Sequence, residues 1–389
     1  MVMKKDYSNK ISNILQSFQS DSLLLQSLRS PGRRNVFIYG AGNAGTVTLK
    51  LLHDTGINIK GFFDRRGGAG VTHLGKSVFT MNDNQLAKCN QDQDIIIIAI
   101  ICGGRQLKDI WRELNEMGYK NILYFHEVYS LLITNRLGSE RKTSYMLTHD
   151  ISANFRQIML RIVEFASLLE DEESQSVFFN FLNSILSSNP DLFSQANKQT
   201  QYFVTDIPFS KGYSRFVDCG AFDGDTALTL HGWKGMIDAI ACFEPDQENY
   251  NRLCFNLKKE RVAKEQFFFP CGVWNKIEML SFLSGKQTAG SICETGESPI
   301  LCVALDNVIP DFRPTFIKMD VEGAEYEALL GAKEIISYFK PDLAISVYHR
   351  IDHMWEIPLF IKTLVPSYKF YLRCHGSHGL ETILYAVAI

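Results

Sequence analysis

The chain has 389 residues, of which 46% are hydrophobic and 21% are charged, a composition typical of a globular protein large enough for two domains. Its formal net charge of −3 gives no electrostatic reason to expect a nucleic-acid partner. The nine cysteines form no CxxC pair, so we expect free thiols in a reducing compartment. The polar start and the lack of a long apolar run predict a cytoplasmic protein with no signal peptide and no transmembrane segment.

Residues 1–30 carry leucine and isoleucine at helical spacing, which predicts amphipathic helices that could pack on their own domain or support a homodimer. Apolar strands and helices alternate over residues 31–126 and predict a small Rossmann-like domain. Residues 127–204 have a helical pattern and predict a connector, and a second strand-rich domain spans residues 205–389. The predicted fold class is therefore α/β, with two doubly wound Rossmann-like domains joined by a helical connector.

A first glycine turn follows the strand that ends at Tyr39. Its sequence is Gly-Ala-Gly-Asn-Ala-Gly, and an acid ends the next strand about twenty residues later. This arrangement is typical of nucleotide-binding turns, in which a diphosphate lies at the helix N-terminus and the acid binds a ribose. The predicted ligand is a nucleotide or a nucleotide-sugar, and the alternative is a scaffold used only for packing or dimerisation. The candidate binding residues are Gly40, Gly42, Gly45 and Asp64.

A second glycine turn follows the strand Arg215–Cys219 and is rich in acids, with Asp218, Asp223 and Asp225. The next strand ends in Glu244, placed to accept hydrogen bonds from both hydroxyls of a ribose. An acidic turn would repel a pyrophosphate but suits a ligand that carries a sulfonium and an ammonium group. The turn therefore favours S-adenosylmethionine over NAD or ATP.

Another strand of this domain ends in Asp320, and a helix begins soon after it. Here the sequence resembles a known family. From about residue 205 to its end, the chain resembles the FkbM family of S-adenosylmethionine-dependent methyltransferases. The segments that carry the resemblance are Val217–Ala221, Phe243–Pro245, Val303–Asp306 and Ile317–Glu325. The resemblance implies a class I methyltransferase fold and O-methylation.

The resemblance also implies roles for residues around the cofactor. Asp218 and Gly220 are expected beside its methionine part, and Glu244 at its ribose. Either Asp223 or Asp225 is expected to bind the cofactor or its waters, while the other caps the following helix. The expected lining of the adenine site is Cys271, Gly272 and Val273.

The acceptor is expected at the tips of the next two strands. Asp320 is the leading candidate for the base that removes the hydroxyl proton, with Glu322 behind it. His349 ends the fifth strand and is a candidate base or orienting group, although a structural role is equally open. These three residues and Asp352 have the ligand types that suit magnesium or manganese, but their spacing does not require an ion, and no metal is predicted. Glu325 is expected to be an acid favoured by the helix dipole.

These expectations combine into one leading function. The chain is predicted to be a bacterial methyltransferase that acts on a hydroxyl of a sugar, glycan or glycolipid precursor. The glycine- and serine-rich segment 284–298 is predicted to be a mobile loop over the acceptor. Two alternatives stay open: a non-catalytic scaffold that binds both a nucleotide and S-adenosylmethionine, and a nucleotide-sugar oxidoreductase that works through the N-terminal domain. The lack of a Tyr-x-x-x-Lys pair there argues against hydride transfer.

Overall fold

A computed structural model describes residues 34–54, 57–81, 88–100, 104–124, 151–187, 192–283, 291–292, 298–377 and 379–388. The helices predicted for residues 1–30 lie outside the described residues. So does nearly all of the loop predicted at 284–298, of which only a two-residue strand and Ser298 are described.

The N-terminal part forms a six-stranded sheet in the order β3-β4-β2-β1-β5-β6. Its strands are parallel except for β3, which pairs antiparallel with β4. The run of isoleucines in β5 is fully buried, as expected for an inner strand covered on both faces. The elements are β1 (Val36–Tyr39), α1 (Asn43–Asp54), β2 (Ile59–Phe63), β3 (Thr72–His73), β4 (Lys76–Phe79), β5 (Ile95–Ile98), α2 (Gly104–Glu116) and β6 (Asn121–Tyr124).

Two helices, α3 (Ile151–Leu168) and α4 (Glu172–Ser187), pack against the C-terminal part of the chain. The guanidinium group of Arg161 pairs with Glu356. Arg373, which is 2% exposed, pairs with Asp171 at the start of α4 and with Asp206. A buried arginine needs such partners because an unpaired charge would be costly inside the protein.

The C-terminal part contains a seven-stranded sheet in the order β16-β17-β15-β14-β7-β8-β9. Five strands are parallel, and β17 runs antiparallel to both of its neighbours. The strands are β7 (Arg215–Cys219), β8 (Ile237–Phe243), β9 (Ala263–Phe269), β14 (Phe316–Met319), β15 (Asp342–Ser346), β16 (Lys369–Cys374) and β17 (Thr382–Val387). The helices are α5 (Asp225–Lys234), α6 (Gln247–Glu260), α7 (Leu305–Val308), α8 (Glu325–Leu330), α9 (Lys333–Phe339) and α10 (His353–Leu364).

A separate four-stranded sheet has the order β10-β13-β11-β12. Its strands are β10 (Gly272–Val273), β11 (Glu278–Leu283), β12 (Ser291–Ile292) and β13 (Ser298–Val303). The predicted fold class is confirmed as mixed α/β with parallel, Rossmann-like sheets. No helix among the described residues has the length and apolar character needed to cross a bilayer.

The strand order of the large sheet predicts where a ligand binds. The chain leaves β7 towards β8 on one side of the sheet, whereas β14 is followed by β15 on the other side. Such a reversal opens a crevice at the carboxyl ends of the two central strands. The crevice therefore lies between the turn after β7 and the turn after β14.

Candidate active site

The turn after β7 is built on Gly220. Its φ is 80°, and a Cβ at this position would lie 1.9 Å from the carbonyl oxygen of Asp320. The backbone N–H groups of Gly220 and Ala221 both donate to the carbonyl of Phe243, each at 3.0 Å. Only glycine accepts both the left-handed backbone and the close approach of the neighbouring strand tip, so the predicted position of Gly220 is explained by steric fit.

An ion pair lies buried beneath this turn. The Nζ atom of Lys318 is 3.0 Å from Oδ1 of Asp218, and their side chains are 3% and 0% exposed. The same Nζ donates to the carbonyl of Gly220 at 2.6 Å. Burial opposes the charge on Lys318, but the carboxylates of Asp218 and Asp320 outweigh it and raise the pKa of the ammonium group. Asp218 is thus fully buried and paired with Lys318, and its contact with the cofactor remains a prediction.

Sequence reasoning gave Lys318 no role, although its position held a signal. It is the one charged residue of β14, whose four positions are all buried. A lysine in such a strand needs a carboxylate partner, and Asp218 lies beside it on the paired strand β7.

Glu244 ends β8 and is 6% exposed. Its Oε2 accepts from the backbone N–H of Phe222 and its Oε1 from that of Asp246, both at 2.9 Å. Burial raises the pKa of Glu244 to about 7, and the two backbone donors only partly offset this. Each carboxylate oxygen keeps a free lone pair, so the group can still accept hydrogen bonds from a diol.

The expectation that Asp223 or Asp225 caps α5 is wrong. The N-cap is Gly224, with φ 90° and no side-chain cap. A Cβ there would stand 3.0 Å from Leu257 of α6, so tight helix packing favours glycine over a capping side chain. Asp225 lies in the first helical turn, where its Oδ1 accepts from the N–H of Thr226 at 2.7 Å, and Asp223 is partly exposed on the loop.

The three residues expected at the adenine lie close to the tip of β8. Cys271 and Val273 are 4% and 1% exposed. A Cβ on Gly272 would meet the sulfur of Cys302 at 2.9 Å and Pro245 at 4.0 Å. The three residues thus lie next to Glu244-Pro245, and their contact with adenine remains a prediction.

On the other side of the crevice, the carboxylate of Asp320 is held by a tyrosine. The hydroxyl of Tyr202 donates to Oδ2 of Asp320 at 2.8 Å. The Oδ1 atom of the same carboxylate is buried without a hydrogen bond among the described residues. Tyr202 lies more than a hundred positions before Asp320 in the chain, and no sequence pattern pointed to it.

Glu325 is the centre of a buried cluster with two histidines. Its Oε1 is 2.8 Å from Nδ1 of His349, and its Oε2 is 3.2 Å from Nδ1 of His353. Oε1 also accepts from the N–H groups of Val321 and Gly323, at 3.0 and 3.2 Å. Burial opposes its charge, but the histidines lower the pKa of Glu325 below its usual range. Glu325 stands in the first turn of α8, as predicted, and it also pairs with two histidines, which the sequence did not indicate.

His349 faces two further carboxylates with its other nitrogen. Its Nε2 lies 3.5 Å from Oε2 of Glu322 and 3.7 Å from Oδ1 of Asp320. Burial opposes a charge on the ring, but Glu325 and Glu322 raise the pKa of His349 well above its usual value. Asp352 is not part of this group, because both of its oxygens bind the guanidinium of Arg350, at 3.0 and 3.1 Å.

The predicted residues of the N-terminal glycine turn lie together, but their surroundings differ from those of the C-terminal turn. Gly40 has φ 111°, and a Cβ on Gly45 would lie 1.9 Å from the carbonyl oxygen of Gly40. No atom of the described residues lies within 4 Å of the corresponding point on Gly42. Asp64 accepts from the N–H of Ala41 and from the side chain of Arg66, and Arg66 lowers the pKa of the carboxyl group below its usual range. The guanidinium of Arg66 is thus bound to the carboxylate of Asp64, which was expected to bind a ribose.

Comparisons with known proteins agree with this geometry. Residues 218–372 match the model of the methyltransferase FkbM domain. The crystal structure of a methyltransferase FkbM from Methylobacillus flagellatus KT is similar to 98% of this chain and 99% of its own, with a TM-score of 0.71 and 22% sequence identity. At that identity the likeness concerns the fold. No curated protein matches the chain significantly. The resemblance to the FkbM family is therefore confirmed.

Proposed function

Since residues 218–372 are a methyltransferase FkbM domain, we propose that the protein methylates a hydroxyl group of a sugar, glycan or glycolipid precursor with S-adenosylmethionine. The observation that carries this proposal is that the two sides of the crevice carry different chemical groups. One side has the glycine turn and Glu244, and the other has the unpartnered polar atoms of Asp320 and His349.

The residues on the donor side fit the cofactor. Gly220 keeps the strand tip free of a side chain, and Glu244 offers two carboxylate oxygens to the ribose hydroxyls. Asp223 on the loop and Asp225 in the first turn of α5 add negative charge, which favours a sulfonium and an ammonium group. S-adenosylmethionine supplies an already activated methyl group, so the protein mainly has to hold donor and acceptor in line.

The residues on the acceptor side suit a hydroxyl nucleophile. A hydroxyl is a weak nucleophile until its proton is removed, and a group at hydrogen-bonding distance has to take that proton. Among the described residues, Oδ1 of Asp320 and Nε2 of His349 are buried without a hydrogen bond. A hydroxyl that enters the crevice could donate its proton to Oδ1, while the raised pKa of His349 makes its ring a hydrogen-bond donor. The nearby Gln201, Tyr348 and Glu381 form a polar network that suits an acceptor with several hydroxyls, such as a sugar.

The first test is calorimetric titration with S-adenosylhomocysteine. We expect the wild type to bind it in the micromolar range, Glu244→Ala to lose binding, and Asp320→Asn to keep binding. A methyl-transfer assay over nucleotide sugars and glycans should then show turnover by the wild type and none by Asp320→Asn. The exposed-carboxylate variant Glu334→Gln serves as the matched control and should behave as wild type in both assays.

The possible outcomes separate the proposal from its alternatives. Binding without turnover on any acceptor would support the non-catalytic scaffold. Full activity of Asp320→Asn would remove Asp320 from the chemistry. The oxidoreductase alternative predicts saturable NADH binding, which the ion pair of Asp64 with Arg66 does not favour.

A further inference from the structure

We propose that Asp320, Glu322 and His349 form a binding site for a hard divalent cation such as Mn²⁺ or Mg²⁺, between the tips of β14 and β15. Among the described residues, Asp320, Glu325 and His349 present potential ligand atoms that all lie within 4.8 Å of one another. Glu322 adds a second carboxylate that faces the same nitrogen of His349.

The first argument is that two buried polar atoms point into this space without a hydrogen bond to any residue that the structure describes. They are Nε2 of His349, whose side chain is 9% exposed, and Oδ1 of Asp320. Buried nitrogen and oxygen atoms normally have a partner, and an exception can mark the place of a bound ion. Both atoms belong to side chains of the types that bind divalent metals.

The second argument is that the other end of each side chain is fixed. Tyr202 donates to Oδ2 of Asp320, which leaves Oδ1 free. Glu325 binds Nδ1 of His349, which leaves Nε2 free. A histidine that binds a metal usually donates its other N–H to a carboxylate, and ligating carboxylates are themselves held by hydrogen bonds. Both supports are present here.

The third argument is the spacing of the atoms. Nε2 of His349 is 3.5 Å from Glu322 and 3.7 Å from Asp320, which is at or beyond the limit for a hydrogen bond. Neighbouring ligands of one Mg²⁺ or Mn²⁺ stand about 3 Å apart. A shift of roughly half an ångström towards a central ion would satisfy this distance, and Glu322, whose side chain is 30% exposed, has room to move.

Glu325 supports the site but does not bind the ion. Its Oε1 already accepts from two backbone N–H groups and from His349, and a metal would have to replace those bonds. The remaining set has two carboxylates and one imidazole, which suits Mn²⁺ or Mg²⁺ better than a thiophilic metal. For the ion's role this inference rests on the proposed function: a bound cation would take the place of a proton on Oδ1 of Asp320, hold the acceptor oxygen and lower the pKa of its hydroxyl group, so that the proton can pass to solvent.

The experiment is a Mn²⁺ titration followed by electron paramagnetic resonance, in the presence of S-adenosylhomocysteine. We expect the wild type to bind one ion, and both Asp320→Asn and His349→Gln to weaken binding at least tenfold. Glu334→Gln, which removes an exposed carboxylate of the same domain, should bind Mn²⁺ as the wild type does. Binding of S-adenosylhomocysteine by each variant shows that it is folded.

Two results would overturn the site. Wild-type protein that binds S-adenosylhomocysteine but no Mn²⁺ at millimolar concentration would mean that the histidine and carboxylates are an ion-paired cluster. Variants that bind Mn²⁺ as well as the wild type does would place the ion elsewhere on the surface. Mn²⁺ binding without any binding of S-adenosylhomocysteine would support the site while contradicting the proposed function, so the two failures are distinguishable.

Discussion

The two glycine turns of the chain are built alike. Gly40 donates its N–H to Phe63, and Gly220 donates to Phe243, in each case the residue before the acid that ends the second strand. Both glycines have positive φ, and each is pressed against the tip of the strand on its other side. In each turn the acid then accepts backbone N–H groups, from Ala41 in the first turn and Phe222 in the second.

The turns differ in the side chain two residues after the acid. In the N-terminal turn this residue is Arg66, whose guanidinium binds both oxygens of Asp64. In the C-terminal turn it is Asp246, which instead caps α6 through the N–H groups of Glu248 and Asn249. One carboxyl group thus has a lowered pKa and a cationic partner, while burial raises the pKa of the other, Glu244, to about 7.

The strand on the other side of each glycine differs as well. Beyond Gly40 lies Ala99, whereas beyond Gly220 lies Asp320. Among the residues that the structure describes, the N-terminal turn therefore has a similar backbone without an acidic residue at the strand tip beyond its glycine. The comparison shows that backbone geometry alone does not distinguish a binding site from a scaffold. The charged side chains around the turn have to be considered as well.

The largest effect should come from the buried ion pair that only the C-terminal turn possesses. Lys318→Met leaves the carboxylate of Asp218 buried without a cation, which should lower the free energy of unfolding by about 3–5 kcal/mol. Chemical denaturation of the variant measures this directly. The double variant Asp218→Asn/Lys318→Met removes both charges and should recover part of the loss. A loss below about 1 kcal/mol in Lys318→Met would mean that the pair behaves like an exposed one.

The fold could largely be predicted from the sequence because its signals are local. The isoleucines of β5, the two glycine turns and the acid after each second strand were each visible in short segments. The helix cap after Gly220 was predicted wrongly, since the packing of Gly224 against Leu257 overrides the capping preference of Asp223 and Asp225, and that contact joins distant parts of the chain.

The candidate site was only half predictable, for the same reason. Asp320 and Glu244 stand at strand ends and could be found by position. Tyr202 and the pairing of Glu325 with His349 depend on which loops meet at the strand tips, and a single sequence does not contain that information. Glu325 in particular has the local pattern of an ordinary first-turn acid.

The next effect concerns the acid of each turn. Glu244→Ala removes the proposed acceptor of two ribose hydroxyls, and two such charge-assisted bonds correspond to about 3 kcal/mol, or about 100-fold in affinity for S-adenosylhomocysteine. Calorimetry on the wild type and the variant measures the change. If a folded variant keeps its affinity within a few-fold of wild type, the role of Glu244 is only to hold the loop through the backbone of Phe222 and Asp246. The C-terminal turn would then resemble the N-terminal turn more closely than we infer.

The pH dependence of binding should also separate the two turns. Glu244 has its pKa raised to about 7, so its carboxylate is mostly ionised above that pH and protonated below it. Affinity for S-adenosylhomocysteine should fall as pH drops from 8 to 6, by up to about tenfold per unit below the pKa.

Titrations across this range on wild type and Glu244→Gln test the point, because the variant lacks the titrating group and its affinity should change less. A wild-type profile as flat as that of the variant would contradict the assignment. Asp64, with a lowered pKa, does not titrate in this window.

The smallest effect is expected at the ion pair that closes the N-terminal turn. Arg66 has 73% of its side chain exposed, and exposed pairs contribute only about 0–1 kcal/mol to stability. Arg66→Ala should therefore change the free energy of unfolding by less than about 1 kcal/mol, in contrast to Lys318→Met. The same variant removes the guanidinium from both oxygens of Asp64, while the backbone N–H groups of Ala41 and of residue 66 still donate to Oδ2 and Oδ1. Titration of Arg66→Ala and wild type with UDP-sugars and NADH then asks whether the arginine alone separates this turn from a binding site. Binding gained only by the variant would show that it does, whereas no binding by either protein would mean that the missing acid beyond Gly40 also matters.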